Sequence, residues 1–148
     1  MKNLGSILTL SLLVLLLFIR AASNNASLEI TIKGLQSSKG QLMIGVYKDA
    51  KSFPDHDKTY KRIIYNLSGK DCKTIKLRIS DLEIGEYFAL AVYHDENANQ
   101  KLDKNFFGVP VERYGFSNNA RGVFGPPSFE EAKFKLGTSG KKTTLELK

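Results

Sequence analysis

Oxygen-bearing side chains recur at alternate positions in one segment of the chain, between residues 95 and 103. In order, they are Asp95, Asn97, Asn99 and Asp103, with Lys101 placed to contribute its backbone carbonyl. This spacing is typical of a loop that wraps around calcium, which takes about six to eight oxygen ligands. Glu112 supplies one further carboxylate. The pattern predicts a weak calcium site, with an affinity on the order of the millimolar range of extracellular modules.

The match to a calcium loop is partial, and a metal-free alternative explains the same residues. Gln100 stands where such loops carry the glycine of their sharp turn, and Phe106 stands where they carry a bidentate glutamate. Asp and Asn side chains also accept hydrogen bonds from their own backbone two residues on, which builds successive turns without an ion. Both interpretations stay open at the level of the sequence.

A histidine beside these carboxylates suggests acid–base chemistry as a third possibility. His94 precedes Asp95, and together with Glu112 these residues would supply the groups of a hydrolase that acts on envelope material. Strand alternation, however, places His94 on the same face as Leu90 and Val92. A histidine at the rim of the core is therefore the favoured interpretation, and the hydrolase is the alternative.

These residues open a long segment, from Val92 to Phe129, that is rich in loop formers and yet carries many aromatic side chains. A connection of this length in a compact domain is usually functional or disordered, and disordered segments are poor in aromatic residues. We therefore expect an ordered loop. Its predicted binding surface for a sugar or a peptide consists of Arg113, Tyr114, Phe116 and Phe124. The alternative is a structural plug that closes one end of the domain.

The elements that must position this loop are strands. Alternation of apolar and polar residues with a period of two predicts half-buried strands, and no segment shows helical periodicity. The predicted strands cover residues 28–33, 41–47, 63–65, 74–79, 87–92, 132–136 and 143–147. Both faces of the strand at 41–47 are apolar, which predicts a central position in its sheet.

This arrangement predicts an all-β fold, namely a single antiparallel β-sandwich of about seven strands with one long ordered loop. The sandwich would be immunoglobulin-like or prealbumin-like. We expect the last two strands to form a hairpin through Gly137–Gly140. Residues 48–61 are expected to form a charged loop that contains Phe53 and Pro54.

Residues 1–23 differ from the rest of the chain and predict a secretory signal peptide. Lys2 precedes an apolar stretch from Ile7 to Ile19, and residues 21–23 are small, which suits cleavage after residue 23. The stretch is short for a membrane span, which needs about 20 residues, and an uncleaved N-terminal anchor is the alternative because Arg20 lies close to the cut. We therefore expect export to the periplasm or cell surface, a β-sandwich domain at 24–148, and no stable transmembrane span after cleavage.

The charge of the chain limits the classes of partner. Residues 24–148 hold 20 basic and 15 acidic residues, so their net charge is +5. The excess is scattered, which is typical of a solvated surface, and no basic face interleaved with aromatics indicates nucleic acid binding. Weak attraction to anionic surfaces or polysaccharides is compatible with this charge. Cys72 is the only cysteine, so the chain forms no intramolecular disulfide.

Several short motifs are distinctive in combination and in this order. They are Gly85-Glu86-Tyr87, His94-Asp95-Glu96-Asn97, Leu102-Asp103, Gly108-Val109-Pro110, Glu112, the run from Tyr114 to Asn118, and the run from Gly125 to Phe129 with Ala132. Together they resemble the bacterial secreted family known as domain-of-unknown-function family 2141. The resemblance implies an exported β-sandwich and implies no activity. Ala98 and Gln100 stand where the family pattern usually carries glycine, which weakens the case for tight wrapping of a cation.

The sequence therefore favours an exported, non-enzymatic module that binds an envelope ligand, a glycan or a peptide, or that serves as an accessory protein in the cell envelope. The long loop would be its working surface. The hydrolase that uses His94, Asp95 and Glu112 and a purely structural domain are the two alternatives.

Overall fold

The computed structural model describes residues 24–148, which form eight strands in two sheets. The strands are β1 (Asn25–Lys33), β2 (Gln41–Tyr47), β3 (Lys61–Asn66), β4 (Thr74–Glu83), β5 (Tyr87–Asp95), β6 (Tyr114–Phe116), β7 (Phe134–Lys135) and β8 (Lys141–Glu146). The helices are short: α1 (Phe129–Ala132) and two 3-10 turns, at His56–Lys58 and Ser117–Asn119. The predicted signal peptide, residues 1–23, lies outside the described residues.

The two sheets confirm the prediction of an all-β sandwich. β1 lies between β4 and β8 in the first sheet, and the second sheet has the order β3-β2-β5-β6, with β7 paired to β5. β2 is therefore central, as its two apolar faces predicted. Within residues 24–148, no helix combines the length and apolar character that crossing a membrane requires.

The end of the chain departs from the prediction in two respects. β8 runs parallel to β1, with Leu28 opposite Lys141, so the sandwich is not wholly antiparallel. The predicted hairpin between residues 132–136 and 143–147 is wrong, because β7 pairs with β5 whereas β8 pairs with β1 in the other sheet. The connection at 137–140 thus carries the chain from one sheet to the other.

The predicted strand at 132–136 is also shorter than expected, because a helix occupies the residues before it. Ser128 is the N-cap of α1: its side chain accepts a hydrogen bond from the Glu131 backbone, and the Glu131 carboxylate accepts one from the Ser128 backbone in return. This reciprocal pair satisfies two backbone donors that a helix start otherwise leaves unpaired. Strand pairing consequently begins only at Phe134.

Both faces of β5 are buried, and each face contributes to a different core. Phe88, Leu90 and Val92 point into the main core between the two sheets. Ala89 and Ala91 lie on the opposite face, in a second core whose other members are Tyr47, Phe116, Phe129 and Ala132. The outer face of the second sheet is therefore covered by other parts of the chain, and the long loop is held there.

Candidate functional site

Asp95 organises the start of the long loop from a fully buried position at the end of β5. Its Oδ1 accepts a hydrogen bond from the Asn99 backbone N–H at 3.0 Å. Its Oδ2 accepts two more, from the Gln100 backbone N–H at 2.7 Å and from the Gln41 side chain at 2.8 Å. A buried carboxylate is stable only when it is bonded in this way. Asp95 thus ties the loop to β2.

The other predicted calcium ligands form successive turns. Asn97 Oδ1 accepts from the Asn99 N–H, and Asn99 Oδ1 accepts from the Lys101 N–H. The Asp103 carboxylate accepts from the side-chain amides of Asn97 and Asn99, at 2.7 and 3.1 Å for the shortest contacts. This is the geometry of the metal-free alternative. A bound calcium ion would have to replace the N–H donors that these oxygens now accept from. Calcium binding by this loop stays a prediction.

Glu112 closes the same loop from its far end. Its two carboxylate oxygens accept hydrogen bonds from the backbone N–H groups of Glu96 and Asp103, both at 3.1 Å. Burial raises the pKa of Glu112, and the negative charges of Asp103 and Asp95 act in the same direction, while the two backbone hydrogen bonds lower it. Within residues 24–148, no group of three or more His, Cys, Asp or Glu side chains is arranged to hold a metal ion.

Two residues of the loop adopt backbone conformations that favour glycine. Ala98 and Gln100 have φ angles of 58° and 63°, in the left-handed region that costs a residue with a Cβ roughly 1–2 kcal/mol. These are the two positions at which the resemblance noted in the sequence leads one to expect glycine. The turn therefore adopts a left-handed backbone at two residues that have a Cβ, although glycine adopts this conformation more easily.

His94 lies at the rim of the main core, as strand alternation predicted. Its side chain is 1% exposed, and its Nε2 donates a hydrogen bond to the Lys39 carbonyl at 2.9 Å. The nearest carboxylate oxygen is that of Glu96, 3.6 Å from Nδ1. Since both carboxylates of the hydrolase alternative accept backbone hydrogen bonds, the geometry gives that alternative no support.

The four residues of the predicted binding surface do not form one exposed cluster. The Arg113 guanidinium donates to the backbone carbonyls of Gly34 and Leu147, at 3.0 and 3.4 Å. Phe116 is buried, with 6% of its surface exposed, and Tyr114 is half-buried. Phe124 is fully exposed at the tip of a separate turn. Of the four, only Tyr114 and Phe116 line a cavity.

That cavity has a volume of about 630 Å³ and lies on the outer face of the second sheet. Ala91 and Tyr93 of β5 form its floor together with Phe116 and Tyr114, their neighbours on β6. Residues 54–57 and Arg62 contribute lining on one side. The long loop contributes residues 99–102, 104, 108, 110, 125 and 126. The cavity is thus a cleft between two loops over an aromatic floor.

Sequence reasoning missed the wall formed by residues 54–57, because the charges of residues 48–61 concealed its apolar members. Phe53 packs edge-on against Tyr47, Phe116 and Phe129, with ring centroids 5.2 to 6.0 Å apart. His56 stands perpendicular to Tyr93, with centroids 4.6 Å apart. Phe53 and His56 could have indicated this wall, because aromatic rings are as unusual in a solvated loop here as they are in the long loop.

Two polar atoms near the cavity floor are buried without a hydrogen-bond partner among the described residues. They are the Tyr47 hydroxyl and Nδ1 of His56. Burial lowers the pKa of His56 from 6.5 to about 4, and the Arg62 charge contributes in the same direction. Burial raises the pKa of Tyr93 to about 12. At neutral pH the His56 imidazole and the Tyr93 phenol are therefore both uncharged, which gives the cavity an uncharged aromatic floor.

The lowered pKa of His56 predicts that stability falls in acid. The unfolded chain binds the imidazole proton below about 6.5 and the folded chain only below about 4, so the unfolded state is favoured as pH falls through this window. We expect a loss of about 2–3 kcal/mol from this residue. Urea unfolding at several pH values between 7 and 4 measures the loss. His56→Gln should flatten this part of the curve, and parallel curves for the variant and the wild type would contradict the assignment.

Comparison with known proteins gives one match. A family model described as an uncharacterized protein conserved in bacteria matches residues 30–144, which include β2 to β7 and all of the residues that line the cavity. A search of curated proteins and a search of solved structures each returned no match. The function must therefore be argued from the site itself.

Proposed function

Since the chain belongs to this bacterial family, domain-of-unknown-function family 2141, as the motifs of its sequence predicted, and since the family description names no activity, we propose a function from the cavity. The protein is an exported, non-enzymatic binding module of the cell envelope. Its cavity takes a ligand that combines an apolar ring face with a carboxylate, which is the chemistry of an acidic glycan.

The observation that carries this proposal is the aromatic floor of a cleft of ligand size. Pockets for small ligands measure roughly 300–1,000 Å³ and combine apolar walls with a few polar groups, and the cavity of about 630 Å³ falls within that range. Tyr114 and Phe116 offer ring faces and edges for the apolar face of a sugar. His56, which is uncharged at neutral pH, adds a further ring to the lining.

The charges around the cavity favour an anionic ligand. The two acidic residues of the lining are already paired, because Asp55 contacts Lys58 at 3.0 Å and Asp57 contacts Arg62 at 3.3 Å. Lys101 and Lys104 line the cavity as well, and neither forms an ion pair with any residue from 24 to 148. The unpaired charge at this site is consequently positive, which attracts carboxylates and raises their rate of association.

Tyr114→Ala is the variant that tests the cavity. We expect soluble peptidoglycan fragments, which carry carboxylates on sugars and peptides, to bind the wild-type chain more tightly than neutral N-acetylglucosamine oligomers do. Loss of the Tyr114 ring should weaken binding of these fragments roughly tenfold, because an aromatic contact is worth about 0.5–1.5 kcal/mol beyond its buried area. Isothermal titration calorimetry measures both effects.

Tyr87→Ala provides the matched control. Tyr87 is 45% exposed at the start of β5 and does not line the cavity, so its loss should leave binding unchanged. Equal losses in the two variants, or no preference for the acidic fragments over the neutral oligomers, would contradict the proposal. Tight binding of unmodified peptides with no binding of saccharides would assign the cavity to peptide ligands instead.

A further inference from the structure

Two turns of the long loop expose large apolar side chains to solvent. In the first turn Phe106 is 97% exposed and Phe107 is 85% exposed, and Val109 is more than half exposed. In the second turn Val123 and Phe124 are 87% and 102% exposed. Single exposed apolar residues are ordinary, but contiguous ones mark interaction surfaces.

The first turn is ordered, so the exposure of its aromatic pair is a property of the fold. Asn105 organises it: its side-chain oxygen accepts hydrogen bonds from the N–H groups of Phe107 and Val109, both at 3.0 Å, and its backbone exchanges bonds with Val109 and Gly108. A backbone bridge between Lys104 and Pro110 closes the base of the turn. The rings of Phe106 and Phe107 rest edge to face, with centroids 5.5 Å apart.

The two turns border one opening. Gly108 and Pro110 from the first turn and Gly125 and Pro126 from the second all line the cavity. The exposed residues 106–109 and 123–124 are therefore adjacent in the chain to residues that line the cavity, and we call them the apolar tips. Lys101 and Lys104 precede the first tip in the chain and Arg121 precedes the second; none of the three forms an ion pair with any residue from 24 to 148.

We propose that the apolar tips insert into the interface of an anionic lipid bilayer. The three phenylalanines and Val123 of the tips are 85–102% exposed, so these side chains project from the surface. A fluid interface accepts such projections without a preformed pocket, whereas a protein partner must supply a matching cavity. Phenylalanine is among the apolar residues that membrane-surface segments bury at the boundary between headgroups and acyl chains, and nearby lysines are attracted to anionic headgroups. The charge and the exposure of the tips thus both fit an anionic bilayer. Insertion of the tips would bring the cavity close to the membrane surface.

The chain contains no tryptophan, so Phe106→Trp places a unique fluorescent reporter at the tip of the full chain. We expect its emission to shift to shorter wavelength when vesicles of phosphatidylcholine with about 30% phosphatidylglycerol are added, because such a surface is strongly negative. Brominated acyl chains should quench it. Reversing both charges, in the double variant Lys101→Glu and Lys104→Glu, should weaken vesicle binding roughly tenfold or more.

Ile64→Trp is the control, because Ile64 is 46% exposed on β3 and does not belong to either tip. Its emission should not respond to quenching lipids, even if residues 1–23 hold the chain on the vesicle. An unshifted signal from the Phe106→Trp variant at millimolar lipid, or equal quenching of the two reporters, would overturn the proposal. A blue shift that depends on protein concentration without lipid would overturn it in favour of self-association. The outcome is independent of the cavity ligand, since no saccharide is present.

Discussion

Replacement of Asp95 by alanine is expected to destabilise the protein by about 3–5 kcal/mol. The carboxylate is fully buried and accepts three hydrogen bonds, from the backbone N–H groups of Asn99 and Gln100 and from the Gln41 side chain. Each bond to a charged group contributes roughly 1.5–3 kcal/mol. The loss should be smaller than the sum of the three, because the Asn99 N–H keeps a second acceptor in Asn97 Oδ1 and both Asn99 and Gln100 are exposed to water. Urea unfolding followed by circular dichroism measures the change.

Asp103→Ala is the matched control for this prediction. Asp103 belongs to the same loop, but it is half-buried and its donors are the side-chain amides of Asn97 and Asn99, which water can reach. Its loss should cost less than about 1 kcal/mol, as for most surface substitutions. Equal costs for the two variants would contradict the role given to Asp95. Asp95→Asn, which keeps one acceptor oxygen, should fall between the two extremes.

Calcium distinguishes the two interpretations of the loop. If Asp95 acts through its hydrogen bonds, the difference in stability between the wild type and Asp95→Ala should persist in the presence of a chelator. If it acts through an ion, millimolar calcium should stabilise the wild type, by about 2.7 kcal/mol at a hundredfold excess over the dissociation constant. Both Asp95→Ala and Asp103→Ala should then abolish that stabilisation.

The strands were predictable because one physical rule governs them all. A residue that faces the core must be apolar and its neighbour in the strand need not be, so alternation located the bounds of β2 at Gln41 and Tyr47 without error. The same rule placed His94 on the face of the main core. It does not say which strand pairs with which, and the parallel contact of β8 with β1 was invisible to it for that reason.

The candidate site was only half predictable, because it is made by contacts distant in sequence. The aromatics of the long loop identified Tyr114 and Phe116, whose strand β6 pairs with β5. The opposite wall, residues 54–57, depends on Phe53 packing against Tyr47 and Phe116, which are distant in sequence. No local pattern in the sequence indicates such a contact. The direction of the side chains in the loop was also not predictable from the sequence. Arg113 and Tyr114 are adjacent in the chain, but only Tyr114 lines the cavity.

The second large effect is expected from a glycine outside the loop, at the turn between β1 and β2. Gly40 has a φ of 65°, and a Cβ added there would lie 2.0 Å from the Asp95 carbonyl oxygen and 2.7 Å from the Glu96 backbone. These neighbours are backbone atoms, so no rotation of a side chain relieves the contact. Gly40→Ala should therefore destabilise the protein by about 3 kcal/mol or more, the range of severe packing defects.

Gly69→Ala isolates the cause of this loss, since Gly69 has a similar φ of 72° but nothing lies within 4 Å of its added Cβ. Only the conformational penalty of roughly 1–2 kcal/mol applies there. The additional loss of stability in Gly40→Ala therefore measures the steric cost of the close approach between the turn and Asp95. That approach also positions Lys39, which binds His94. Gly40→Ala should consequently speed hydrogen exchange of the Asn99 and Gln100 amides, which Asp95 protects. Equal stability losses in the two variants, with exchange unchanged, would mean that the turn does not hold the loop.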